Sequence, residues 1–137
     1  MKFLSERDTR EKLTAEYAIM SQLADEIKRQ IDLLSTAINE IGVTKVALKE
    51  LEKLSGGEEM LVPIGSSVMV RASFKKLGKV LVRVGDNVII EKSLEKALEY
   101  LEEQEKTLRQ TLERRNAEYQ NVLGRLTELE KALRGSR

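Results

Sequence analysis

Two hydrophobic seams, one near each end of the chain, constrain the fold more than any other feature. Leu13, Tyr17, Met20, Ala24, Ile27, Ile31, Leu34, Ile38, Ile41, Lys45 and Leu48 recur at alternating steps of four and three. Leu98, Leu101, Glu105, Leu108, Leu112, Arg115, Tyr119, Val122, Leu126, Leu129 and Leu133 do the same. Such spacing keeps one stripe of a long helix turned toward a partner helix. Read backwards from Leu133, the second seam has the same order of fours and threes as the first read forwards from Leu13. The two therefore match as antiparallel partners, with paired positions always summing to 146. Leu13 is set against Leu133, Met20 against Leu126, Ile31 against Arg115 and Leu48 against Leu98.

The expected fold is mainly α with a small β segment, one domain over residues 1–137. Helix 1 is expected over residues 6–54. Ser5 with Asp8 three residues on can cap its start, and Gly56 and Gly57 supply a stop. Gly42 costs roughly 1 kcal/mol relative to Ala inside a helix, so a bend is expected there if anywhere. Helix 2 is expected over residues 94–134, with Ser93 as its N-cap. Each buried Leu or Ile contributes up to roughly 1.5–3 kcal/mol before ordering entropy is subtracted, enough to make the pairing worthwhile. Lys45, Glu105 and Arg115 are polar seam positions. Their long side chains can snorkel out of a two-stranded seam, and Lys45 and Glu105 lie one layer apart on opposite helices.

Between the helices, residues 58–92 change period. Val68, Val70, Ala72 and Phe74 alternate with Met69, Arg71, Ser73 and Lys75, and Val80, Val82 and Val84 alternate with Leu81 and Arg83. This is strand spacing with one apolar face. The shorter runs 60–64 and 87–91 flank them, separated by Gly65-Ser66-Ser67, Lys76-Leu77-Gly78 and Gly85-Asp86-Asn87. Four strands in two hairpins follow, with Pro63 at a strand end or edge because it has no N–H to donate. The helices' narrow apolar stripes are used up in the seam. The Val- and Ile-rich face is therefore expected to be covered by equivalent segments of other subunits, through Val62, Ile64, Val68, Val70, Phe74, Val80, Val82, Val84 and Ile90. A small sheet folded onto its own helix ends is the alternative.

Composition excludes much. The chain has no Cys and no His, which removes disulfides, thiolate chemistry and the commonest proton shuttle and metal ligand. No phosphate-cradling glycine motif occurs, and carboxylate pairs such as Glu102-Glu103 read as solvated helix faces. An enzyme is not expected, nor any cofactor or metal. Twenty-four basic and 23 acidic residues nearly cancel, so no global field draws the chain to nucleic acid or an anionic membrane. Arg114-Arg115 with Tyr119 is not a basic patch with interleaved aromatics. Without a signal peptide or an apolar run of spanning length, a cytoplasmic location is expected.

Leu61-Val62-Pro63-Ile64-Gly65, Val70-Arg71-Ala72, Lys79 to Gly85 and Ile90-Glu91-Lys92-Ser93-Leu94-Glu95-Lys96-Ala97, set between matched long helices, resemble the strand region of the alpha-type subunits of archaeal prefoldin. The resemblance implies a hetero-hexamer of two alpha-type and four beta-type subunits on a β barrel. It implies an ATP-independent holdase that captures unfolded proteins with coiled-coil tips and passes them to a group II chaperonin. Client contact is then expected at the tips, through Phe3, Leu4, Leu13, Tyr17, Met20, Leu126, Leu129 and Leu133, exposed by fraying. The competing expectations are a structural coiled-coil adaptor and a homo-oligomeric, filament-forming relative.

Overall fold

The computed structural model describes residues 5–135. The element order is α1 (Glu6–Glu52), β1 (Glu59–Pro63), β2 (Met69–Ser73), β3 (Val80–Gly85), β4 (Val88–Lys92) and α2 (Leu94–Gly135). Helix α1 runs unbroken for 47 residues through Gly42. Its start is capped as expected, with the Asp8 N–H donating to Ser5 Oγ at 3.2 Å. Its end comes two residues before position 54. The N–H groups of Lys53 and Leu54 turn to the carbonyls of Glu50 and Leu51, three residues back, and the tightened turn closes the helix. Helix α2 opens on the matching cap, the Lys96 N–H donating to Ser93 Oγ at 3.2 Å.

The chain divides into two compact units, Met1–Ile38 with Thr107–Arg137, and Asn39–Lys106. In the first, Ala24, Ile27 and Val122 form a buried cluster, with Met20, Ile31, Tyr119 and Leu126 packed against it. These are successive layers of the antiparallel register. All 22 seam positions are buried or half-buried along the two helices. The polar ones behave as long side chains do in a narrow interface. Arg115 turns its guanidinium out to Glu118 at 2.8 Å. Beside it lies a shallow groove lined by Gln30, Leu33, Leu34, Ala37 and Thr111.

In the second unit Lys45 Nζ meets Glu105 Oε2 at 3.5 Å, with 21% and 20% of the side chains exposed. Lys45 and Glu105, two of the three polar seam residues, thus form a cross-helix pair. Two antiparallel two-stranded sheets, β1–β2 and β3–β4, complete this unit. The first sheet is joined to α1 through Gly56 and Gly57, whose φ angles of 106° and 87° lie in the left-handed region that glycine enters without strain. The Glu58 carboxylate accepts the Gly56 N–H at 2.8 Å and the Ser55 N–H at 3.1 Å, pinning the reversal. These bonds to the charged form, with its own backbone N–H foremost, hold the Glu58 carboxyl below the usual carboxylate range. Ala97, 1% exposed, sits among Thr44, Leu48, Val80, Val82, Tyr100 and Leu101, where β3 meets the adjoining helical turns around an open cleft.

Candidate functional site

The hairpins carry the chain's main concentration of exposed apolar surface. In the first, Met60 pairs with Ala72, Val62 with Val70 and Glu59 with Ser73, and the Ile64 N–H adds one more rung by donating to the Val68 carbonyl at 3.0 Å. Directly paired residues share a face. One face is therefore wholly apolar: Met60, Val62, Ile64, Val68, Val70 and Ala72. Its base, Met60 and Ala72, is half-buried together with Phe74, whereas Val62, Ile64, Val68 and Val70 are exposed. The ladder is extended at the base, where the Gly57 N–H donates to the Phe74 carbonyl and the Phe74 N–H to the Glu58 carbonyl, both at 2.7 Å. The opposite face is mixed, with Arg71 bridging Glu59 at 3.1 Å beside exposed Leu61.

In the second hairpin Val82 pairs with Ile90 and Leu81 with Glu91, and the register shifts between Arg83 and Gly85 so that Val84 is the extra residue of a bulge. The turn closes on Asn87, whose φ of 61° is in the left-handed region that Asn tolerates better than most side chains. Val80, Val82 and Val84 are half-buried and Leu81 and Arg83 exposed, which is the expected alternation. Ile90, Ile89 and Val88 are exposed, and Leu81 is 69% exposed. Both faces of this hairpin thus present apolar groups. Single-face alternation missed Leu81, Val88 and Ile89. The signal was in the composition of the run, since near-continuous Val, Leu and Ile mark strands covered on both sides. Each two-stranded sheet also leaves the outer edge of each strand without a neighbouring strand among the described residues.

The proposed client residues fall in the other unit. Phe3 and Leu4 lie outside the described residues. Leu13, Tyr17, Met20, Leu126 and Leu133 are half-buried in the seam, and Leu129 is 1% exposed. In this closed arrangement their apolar groups face one another, so contact with a client through them requires the helix ends to separate. Seam reasoning also passed over Ile19, Leu23 and Leu33, which stand off the seam on α1 and are exposed, Leu33 at 66%. Their spacing from one another follows the same heptad but one step to the side, a weak signal in a helix this long.

No helix among the described residues is long and apolar enough to cross a membrane. A family model described as Prefoldin subunit matches residues 20–136. The chain is 40% identical over 126 residues to a prefoldin subunit alpha of Thermofilum pendens, covering 92% of this chain and 98% of that one. It is 35% identical over 117 residues to a prefoldin subunit alpha of Hyperthermus butylicus, covering 80% and 73%. Among solved structures it resembles a filamentous PFD from Methanocaldococcus jannaschii determined by cryo-EM, with a TM-score of 0.72 and 25% identity, over 89% of this chain and 98% of that one.

Proposed function

The chain belongs to the prefoldin family of chaperones, and from that premise we propose that it is the alpha-type subunit of an ATP-independent, cytoplasmic holdase without catalytic activity of its own. Its hairpins join those of neighbouring subunits into a β barrel, its helix ends hold unfolded clients, and the clients pass to a group II chaperonin. The observation that carries the reading is the pair of hairpins whose apolar faces are exposed at Val62, Ile64, Val68, Val70 and Ile90 and whose strand edges are open. Surface of this kind on a lone chain is an aggregation hazard and on a subunit is an interface. Val80, Val82, Val84 and Phe74, half-buried, complete the set of apolar side chains that this reading assigns to the interface. Client contact falls to Phe3, Leu4, Leu13, Tyr17, Met20, Leu126, Leu129 and Leu133, used together by several subunits so that weak contacts add through avidity.

The test is reconstitution with beta-type subunits followed by native mass spectrometry and an aggregation assay on unrelated denatured proteins. Two copies of this chain with four beta-type partners, and suppression without ATP, are expected. The variant Val82→Asp/Val84→Asp is expected to lose assembly while keeping its helical circular-dichroism signal. Retained assembly in that variant would refute the hairpin interface. A second reading, a homo-oligomeric filament, draws support from the likeness to the filamentous PFD. Long assemblies of this chain alone would favour it over the hexamer. A defined complex with a single unrelated protein and no aggregation suppression would favour the structural adaptor instead.

A further inference from the structure

Among the described residues, polar contacts of Arg10 and Arg125 bind α1 to α2 near the ends of the first unit. Arg10, three residues before Leu13, donates from Nη1 to the carbonyl oxygen of Leu133 at 2.8 Å. That carbonyl lies in the last turn of α2, where carbonyl groups have no partner within the helix. Deeper in, Arg125 donates from Nε and Nη2 to the two carboxylate oxygens of Glu16, both at 2.8 Å, the forked geometry that makes Arg–carboxylate pairs directional. Its remaining Nη1 reaches Glu128 at 3.0 Å, which holds the guanidinium in the orientation that Glu16 requires. The hydrogen bond from Arg125 keeps the Glu16 carboxyl below the usual carboxylate range, so the pair stays ionised at neutral pH. Between these two points lie the layers of Leu13 with Leu133 and Tyr17 with Leu129 in the antiparallel register. Leu129 is fully enclosed there, and the cluster around Ala24, Ile27 and Val122 begins immediately beyond.

We propose that Arg10 and the Arg125–Glu16 pair form a two-point latch, and that its release is the step that uncovers Leu13, Tyr17, Leu129 and Leu133 for a client. The idea rests on the holdase reading above. Its chemistry suits a gate. Both contacts are solvent-exposed, so each is weak, the Arg125–Glu16 ion pair is also salt-sensitive, and each can break without disturbing the apolar cluster beyond. A ligand that binds only the open form has its apparent affinity reduced by the open fraction. The latch therefore sets how readily the apolar layers are offered, and it keeps them from one another's copies when no client is present.

The experiment compares the assembled natural protein with Arg10→Ala/Glu16→Ala by hydrogen exchange, with client affinity measured in parallel. In the double variant, amides at 125–133 are expected to exchange about threefold faster or more, while those around 24–34 do not change. Client affinity is expected to rise. Raising salt to about 0.5 M should speed the same amides in the natural protein and leave the variant unchanged. A third protein, Glu16→Cys/Arg125→Cys, keeps every apolar client residue and locks the ends when its two thiols are bridged by a short bis-methanethiosulfonate linker. Because the chain has no other cysteine, reduction releases only that bridge. Capture lost on bridging and recovered on reduction supports the gate. Unaltered exchange at 125–133 in the double variant overturns the latch, whatever happens to capture. Faster exchange with undiminished capture by the locked protein overturns its role as the gate. Failure of the natural assembly to suppress aggregation at all would instead remove the holdase reading, a result separable from the exchange data.

Discussion

Leu129 is the largest fully buried side chain among the described residues, and replacing it by Ala measures how much one seam layer is worth. The change removes three carbon atoms. At about 0.8 kcal/mol per buried methylene, the transfer loss alone is about 2.4 kcal/mol. Leaving a cavity would raise the cost toward the upper part of the roughly 2–5 kcal/mol range seen for Leu→Ala in packed cores. A two-helix seam can close part of that gap because nothing lies behind it to hold the walls apart. The expected loss is therefore about 2.5–3.5 kcal/mol. Leu33 supplies the control on the same kind of helix. It is 66% exposed, so Leu33→Ala is expected to stay within about 0.5 kcal/mol. Urea unfolding followed by far-ultraviolet circular dichroism, at one fixed protein concentration, measures both as shifts in midpoint at constant slope. Equal shifts for the two variants would refute the assignment of Leu129 to the seam, since helix propensity changes identically in both.

Two glycines have opposite signs. Gly42 lies within α1 with open space where a Cβ would go, so Gly42→Ala should stabilise by about 0.5–1 kcal/mol. Gly56 has φ 106° and its Cβ would sit 3.3 Å from the Lys76 backbone nitrogen, so Gly56→Ala should destabilise by about 1–2 kcal/mol, both read by thermal melts. For the seam ion pair, Lys45→Glu should destabilise and Lys45→Glu/Glu105→Lys should recover most of the loss. A double variant no better than the single one would show the pair to be uncoupled. Glu58 is held below its ordinary value in the fold, so its contribution is fully present above the unfolded value and is lost as pH falls through the lower folded one. Stability measured from pH 6 down to about 3 should therefore fall less steeply in Glu58→Gln than in the natural protein.

Much of this architecture was legible because it depends on periodicity. A step of three or four residues along a helix returns a side chain to the same stripe, so the antiparallel register could be read from spacing alone. The cluster joining Ala24, Ile27 and Val122 with Met20, Tyr119 and Leu126 lies on that register. Ser5 and Ser93 were legible for a similar reason, since a cap needs one hydroxyl at one position relative to the first free N–H groups. The hairpins were legible from the change to period two and from glycine-bearing turns. Less could be read where contacts depend on long side chains crossing between helices. Arg10 reaching Leu133 and Arg125 reaching Glu16 span 123 and 109 residues of sequence. Many charged residues on these helices could have met instead, because a flexible arginine commits to a partner only when the backbones are placed.

The elements, their order and the pairing of the two seams follow from local spacing and from the few residues that start or stop a helix. Which apolar groups are left over depends instead on how the backbones pack. Leu129 is enclosed while Ile19 and Leu33, of the same chemical kind on helices of the same kind, face outward. Leu81 and Ile89 stand exposed on a hairpin face that alternation had treated as the outside. Burial is a property of what lies opposite a side chain, and only assembled backbones supply the opposite wall.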